Sequence, residues 1–388
     1  MIIAPVINQH SDINEPMLLK SVRVLDLTRV LAGPMCTMML GDLGADVIKV
    51  ERPGHGDETR GWGPPFDGRG ESAYFLSVNR NKKSIALDLN NDRDVALVRH
   101  LIESADIVVD NFLPGALARR GLDADALVTA HPRLVWCTIT GFGAGSERPG
   151  YDFVVQAEQG WMAITGEAGG APMKHGVALA DVIAGKDAAI AILGVLAARG
   201  LGDGHLPPDA RRVVVSLADS ALAALVNVAQ NTLVSGRPAS RWGNAHANLV
   251  PYQLFTAQDQ PIVIAVGNDA QWISCARALG LEALAADPAL ATNAGRLAAR
   301  DQVVAAIAAR VAERDAAGWI AALERAGVPC GRVRSVTEAL AGAAASALTG
   351  VRPSVPGTVR LAPPRLDEHG AQIRELAWAA FASGVRGA

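Results

Sequence analysis

Paired cysteines are missing from this chain. Its four, Cys36, Cys137, Cys275 and Cys330, are scattered through 388 residues with no short spacing between them. That argues against a disulfide framework or a zinc site and fits a reducing, cytoplasmic setting. The eight histidines form no H-x-x-x-H pair and no cluster with acids at ligand spacing, so no metal is expected. An excess of basic residues is missing as well. The formal net charge of −3 gives no reason to expect nucleic acid or a membrane surface as partner. The most apolar run, AAIAILGVLAA, is bounded by Lys186, Asp187 and Arg199 and is too short to span a bilayer. It reads as a core helix. The opening MIIAPVINQHSDINEPMLLK has neither a basic start nor a continuous apolar core, so it reads as a loose extension rather than a signal peptide.

Two catalytic fingerprints are also lacking. No G-x-S-x-G nucleophile elbow occurs. GFGAGS at 141–146 follows a strand pattern, but its spacing is wrong for dinucleotide binding and SERPGYD is not read as opening a helix. The turn after the first strand, TRVLAGP, holds a single glycine. A nicotinamide enzyme is therefore not expected, and the glycines at 141–145 are read as a tight loop.

What is present is a soluble-enzyme composition, 50% apolar and 19% charged, on a chain long enough for two domains. VRVLDLT, ADVIKVE, KKSIALDL, ADIVVDNF, RLVWCTITG and RRVVVSL read as strands separated by helical patterns such as NDRDVALVRHLIES. That rhythm predicts an α/β fold with a doubly wound parallel sheet. ADSALAALVNVAQNTLVSG reads as one helix ended by Gly236, and YQLFTAQDQPIVIAVG as a hairpin turning at Asp259 and Gln260. We divide the chain into an N-terminal extension (1–20), a large domain (21–220), a linker helix (221–237) and a smaller α+β domain (238–335). A returning linker and the C-terminal part of the large domain complete it (336–388).

Three groups of side chains have two readings each. Asp181, in ALADVIAG, is either the cap of a buried helix or a carboxylate held ionised by the helix dipole and able to act as a nucleophile. Asp152, after Tyr151, is either a general base or another cap. Arg80, Lys82 and Lys83 in NRNKKS are either a solvated face or a site for a phosphorylated ligand.

Taken in order, VRVLDLTRVLAGPMCTMMLGDLGADVIKVERPGHGDETR, NRNKKSIALDL, ADIVVDNFLPGALARRG, PRLVWCTITGFG, GYDFVVQAEQGWMAITG and GVALADVIAG resemble the class III CoA-transferases, a family that also includes α-methylacyl-CoA racemases. The resemblance implies a Rossmann-like large domain, a small domain, a ring-shaped chain and an interlocked homodimer. It implies no permanently bound cofactor, with a coenzyme A thioester as substrate. Asp181 matches the family's nucleophilic aspartate, which would carry an aspartyl anhydride and then an aspartyl-CoA thioester. Arg29, Val30, Leu31, Ala32, Arg52, Leu87, Asn111, Phe112, Arg119 and Tyr151 match CoA-contacting positions, and Trp62 matches a tryptophan near the acyl pocket. RWGNAHANLVPYQLFTAQD looks most like transferases of succinyl-CoA and dicarboxylates such as glutarate. Arg241 or His246 is then expected to pair with a distal carboxylate, the alternative being that Arg241 ties down a loop. Leu113 departs from the family, standing where a basic residue is common. Two rival functions stay open. One is a racemase using Asp152 with a histidine such as His131, and the other is a CoA-binding paralogue without catalysis.

Overall fold

A computed structural model describes residues 17–202 and 204–382. Most of the expected N-terminal extension, residues 1–16, lies outside the described residues. By contacts the chain forms two compact units. One gathers the described residues up to Gly160, those of Gly176–Val226 and those from Ala343 onward. The other gathers Trp161–His175 and Asn227–Gly342.

The first unit is built on six strands, β1 (Arg23–Asp26), β2 (Asp46–Glu51), β3 (Lys82–Ala86), β4 (Ile107–Asp110), β5 (Val135–Thr140) and β6 (Arg212–Ser216). All pair in parallel in the order β3-β2-β1-β4-β5-β6. The strands read as near-continuous apolar runs because both faces of such a sheet are covered. Leu25 pairs with Ile48 on one side and Val108 on the other, all fully buried. These residues share a core with Leu101 and Trp378. The Trp378 indole N–H donates to the Leu101 carbonyl at 3.0 Å, and the Arg374 guanidinium donates to the Ala86 carbonyl at 2.7 Å, so the C-terminal segment packs on this unit.

Helix α1 (Ala32–Asp42) follows β1 with Pro34 in its first turn, where a missing N–H costs nothing. A second helix, α2 (Asp152–Glu158), opens at the end of SERPGYD, correcting the expectation that this segment starts no helix. The alanine-rich run forms α3 (Leu179–Leu201), whose buried face is Ala180, Ala184, Gly185, Ala188 and Ala189. Small residues there let α3 and α1 close up. A Cβ built on Gly185 would stand 2.5 Å from the Ala32 carbonyl oxygen. This close approach holds the first turn of α3, with Asp181, beside the chain that leaves β1.

Two further expectations are corrected. The single helix ended by Gly236 is two, α4 (Leu217–Ala223) and α5 (Val226–Ser235), broken where Val226 takes a φ of 41°. Arg80, Lys82 and Lys83 are buried, so they are neither a solvated face nor open to a ligand. Lys82 donates to Asp26 at 2.9 Å, Arg80 donates to Asp42 at 2.7 Å, and Lys83 donates to the Ala380 carbonyl at 2.8 Å. Buried charges of this kind persist only when fully paired.

The second unit holds an antiparallel sheet of β7 (Tyr252–Thr256), β8 (Pro261–Ala265) and β9 (Cys330–Arg332). The β7–β8 hairpin closes where the Ala257 N–H donates to the Gln260 carbonyl at 3.1 Å. Its core joins Ile262 and Ile264 to Trp272, Ile307 and Trp319. No described helix is long and apolar enough to cross a membrane.

Candidate active site

The strand order reverses between β1 and β4. In an open parallel sheet, a crevice opens beyond the carboxyl ends of the strands at that point. Arg29 and Asn111, just past β1 and β4, clamp it. The Arg29 N–H donates to Asn111 Oδ1 at 3.1 Å, and the Asn111 amide donates back to the Arg29 carbonyl at 2.8 Å. Next in the chain, Val30 has a φ of 72°, a conformation that β-branched residues rarely adopt. Its N–H meets both Asp57 carboxylate oxygens at 3.3 Å, and Asp57 is itself paired with buried Lys49 at 3.1 Å. Strain of this kind is retained at functional sites when surrounding structure enforces it.

A cavity of about 250 Å³ opens here. It brings together Arg29, Val30, Leu31, Ala32, Asn111, Phe112, Tyr151 and Asp181. An adjoining cavity of about 280 Å³ shares Arg29, Glu58 and Phe112 with the first and is lined further by Arg52, His55, Leu87 and Arg120. Arg119 is exposed and lines neither, while its neighbour Arg120 lines the second.

Asp181 does not cap its helix. The cap position of α3 is Ala178, with no side-chain bond, and Asp152 supplies the acceptor from α2 instead. Asp152 Oδ1 accepts from the Ala180 N–H at 2.8 Å and from the Asp181 N–H at 3.4 Å, while its Oδ2 accepts from the Gln156 amide at 2.6 Å. No hydrogen bond reaches the Asp181 carboxyl among the described residues. Asp181 is 9% exposed. Burial first, and the Asp152 charge second, push its pKa up to about 7. That runs against the reading of a carboxylate held ionised by the helix dipole. Desolvation wins.

Trp62 is 40% exposed and lines neither cavity. It stands edge-on to Tyr74, 5.0 Å between ring centroids. Tyr74, like Val30, Ala178 and Val182, packs against the buried cluster of Leu31, Met38 and Val78, and its phenol is pushed up to about 12 by burial and then by the charge of Asp181. In the second unit, the Arg241 guanidinium donates to the carbonyls of Ala163 (3.2 Å) and Gly170 (2.7 Å), tying down a loop. His246 lines a separate cavity of about 600 Å³ with Trp242. Sequence reasoning passed over Tyr74, Arg120 and Arg148. Arg148 lines the Asp181 cavity, and its only signal was a position four residues ahead of Asp152. No cluster of three or more metal-ligating side chains occurs among the described residues.

Residues 19–377 match the model of CoA-transferase family III. The chain belongs to that family. Family III relatives support the assignment along most of the chain. It is 43% identical over 333 residues to the succinyl-CoA:glutarate CoA-transferase of Mus musculus, covering 85% of this chain and 75% of that one. Identity to the succinate–glutarate CoA-transferase of Agrobacterium fabrum is 42%, covering 83% and 82%. A crystal structure of a CAIB/BAIF family protein from Brucella suis superposes with a TM-score of 0.80 at 38% identity, covering 92% and 98%. This family III protein is therefore an enzyme, a CoA-transferase acting on CoA thioesters.

Proposed function

We propose that the enzyme moves CoA from succinyl-CoA to a dicarboxylic acid such as glutarate, with Asp181 as the covalent nucleophile. The observation that carries this reading is a buried carboxyl, relieved of capping duty, on the wall of the cavity at the strand-order reversal. The relatives' names supply the acids.

Ionised Asp181 attacks the succinyl thioester, the carbon–sulfur bond breaks, and CoA thiolate leaves a mixed anhydride. Thiolate then attacks the aspartyl carbonyl, succinate departs, and an aspartyl-CoA thioester remains. The acceptor carboxylate attacks that thioester, giving a second anhydride and thiolate again. Thiolate takes the new acyl group, and the Asp181 carboxylate is restored. Burial and Asp152 both penalise the charged form of Asp181, and both penalties vanish when it is acylated. The same environment that raises its pKa therefore favours the covalent intermediates. The CoA nucleotide occupies the second cavity, where Arg29, Arg52 and Arg120 face its phosphates.

Racemisation is less well supported. It needs an acid–base pair flanking the α-carbon. Both Asp152 oxygens are engaged by donors, and His131 closes the short helix Ala124–Ala130 without lining the Asp181 cavity. Mass spectrometry of enzyme quenched during turnover tests the proposal. An acyl or CoA adduct on the Asp181 peptide is expected, together with loss of transfer but retention of CoA binding in Asp181→Ala. An unmodified peptide while product accumulates would refute it.

A further inference from the structure

The geometry points to Arg148 as the residue that selects diacids, by binding the carboxylate distal to the reacting one. This inference rests on the transferase reading above. The cations lining the Asp181 cavity are Arg29 and Arg148. Arg29 also lines the neighbouring cavity and is paired with Glu58 at 3.3 Å. Of the two cavities Arg148 lines only the one with Asp181, which leaves it as the cation for the acyl end of the substrate.

The loop that bears Arg148 is closed at its base by two glycines. A Cβ on Gly141 would lie 2.5 Å from the Gly150 Cα, and one on Gly150 would lie 2.2 Å from the Gly141 Cα. The loop is pinned further where the Gly143 N–H donates to Thr140 Oγ1 at 3.0 Å and the Ala218 N–H donates to the Gly141 carbonyl at 3.0 Å. Its guanidinium lies over the Phe142 ring, 4.1 Å from the centroid, and one terminal nitrogen donates to Glu158 at 2.5 Å. Nε and the other terminal nitrogen have no hydrogen-bond acceptor among the described residues. The side chain is half-exposed at the cavity edge, and a guanidinium stacked on a ring with donors to spare is suited to bidentate binding of a carboxylate. A monocarboxylic acid of the same length would leave those donors unused.

Kinetics of CoA transfer from succinyl-CoA to glutarate and to pentanoate, in wild type, Arg148→Gln and Arg148→Lys, test this. For Arg148→Gln, kcat/KM for glutarate is expected to fall roughly 30-fold or more, as when one partner of a hydrogen-bonded charge pair is removed. The kcat/KM for pentanoate, which reads only the acceptor half-reaction and not the succinyl donor step, is expected to stay as in wild type, so the diacid preference collapses, and Arg148→Lys recovers part of it. Equal loss of acceptor kcat/KM on both acids, or an unchanged preference, overturns the role of Arg148 while wild-type transfer leaves the transferase reading standing. Wild-type enzyme that transfers CoA to neither acid overturns both.

Discussion

Asp152 Oδ1 accepts a hydrogen bond from the backbone N–H of Asp181 at 3.4 Å, so one carboxylate holds the helix end that carries the other. The arrangement frees the Asp181 side chain from its own helix and places a negative charge close enough to disfavour its ionisation. Capping of α3 thus falls to an acid on another helix, and the Asp181 carboxyl is left free of it.

Replacing Asp152 by asparagine keeps a carbonyl oxygen at the helix end and removes the charge. The Asp181 pKa then falls from about 7 but stays above its ordinary value, because burial is the larger cause. On the proposed mechanism only ionised Asp181 attacks, so wild-type kcat/KM is expected to decline as pH falls through about 7. In Asp152→Asn the declining limb moves to lower pH. A pH profile of kcat/KM checks this, and a limb that stays in place would remove Asp152 from the electrostatics of the nucleophile.

The raised pKa also has a stability consequence. An acid whose folded pKa exceeds its unfolded value destabilises the fold as pH rises above the unfolded value, and the cost levels off above the folded one. For Asp181 the window runs from 3.8 to about 7. The cost at pH 8 is of order 4 kcal/mol, taken from a shift of about three pKa units. Asp181→Asn is therefore expected to melt higher than wild type at pH 8, with the gain shrinking toward pH 4. Thermal melts at the two pH values decide it. An inactive variant that is no more stable at pH 8 would contradict the burial argument.

The six-strand sheet was legible because each strand is a short apolar run bounded by helix patterns, and a sheet covered on both faces demands such runs. The position of Asp181 at the mouth of a small-residue helix was legible in ALADVIAG, but that stretch alone favoured a helix cap, which Asp181 is not. Neighbouring sequence hid its true partner. Asp152 lies 29 positions away and meets α3 only after folding. NRNKKS misled for a related reason. Its charges look solvent-facing until Asp26 and Asp42 are brought beside them by sheet pairing and chain packing. The division of ADSALAALVNVAQNTLVSG into two helices rests on one backbone angle at Val226, for which the apolar pattern has no marker.

The glycine pair under the 141–150 loop yields a contrast within one loop. At Gly141 or Gly150 an added methyl would meet backbone at 2.5 or 2.2 Å, which nothing flexible can relieve. Gly145 has open space within 4 Å. Gly141→Ala and Gly150→Ala are each expected to cost about 1–3 kcal/mol of stability, as overpacking does, and to lower transfer by shifting the loop over the cavity. Gly145→Ala is expected to leave both unchanged. Chemical denaturation and initial rates on the three variants check the contrast, and equal effects at all three positions would refute it.

Arg119 and Arg120 are adjacent, yet the fold treats them differently. Arg119 is exposed and outside both cavities. Arg120 lines the second cavity, donates to the Ala116 carbonyl at 2.7 Å and to Asn90 Oδ1 at 3.3 Å, and keeps a buried Nε without an acceptor. A buried, unsatisfied guanidinium nitrogen beside Arg52 favours an anion there. Arg120→Ala is expected to raise KM for succinyl-CoA by about tenfold, the weight of one charge-assisted bond, with kcat changed little because the lost contact is remote from the thioester. Arg119→Ala is expected to behave as wild type. Rising ionic strength should weaken CoA binding less in Arg120→Ala than in wild type, since part of the attraction between charges has already been removed. Steady-state kinetics at two salt concentrations read all three effects, and a larger KM increase in Arg119→Ala than in Arg120→Ala would place the nucleotide elsewhere on the sheet edge.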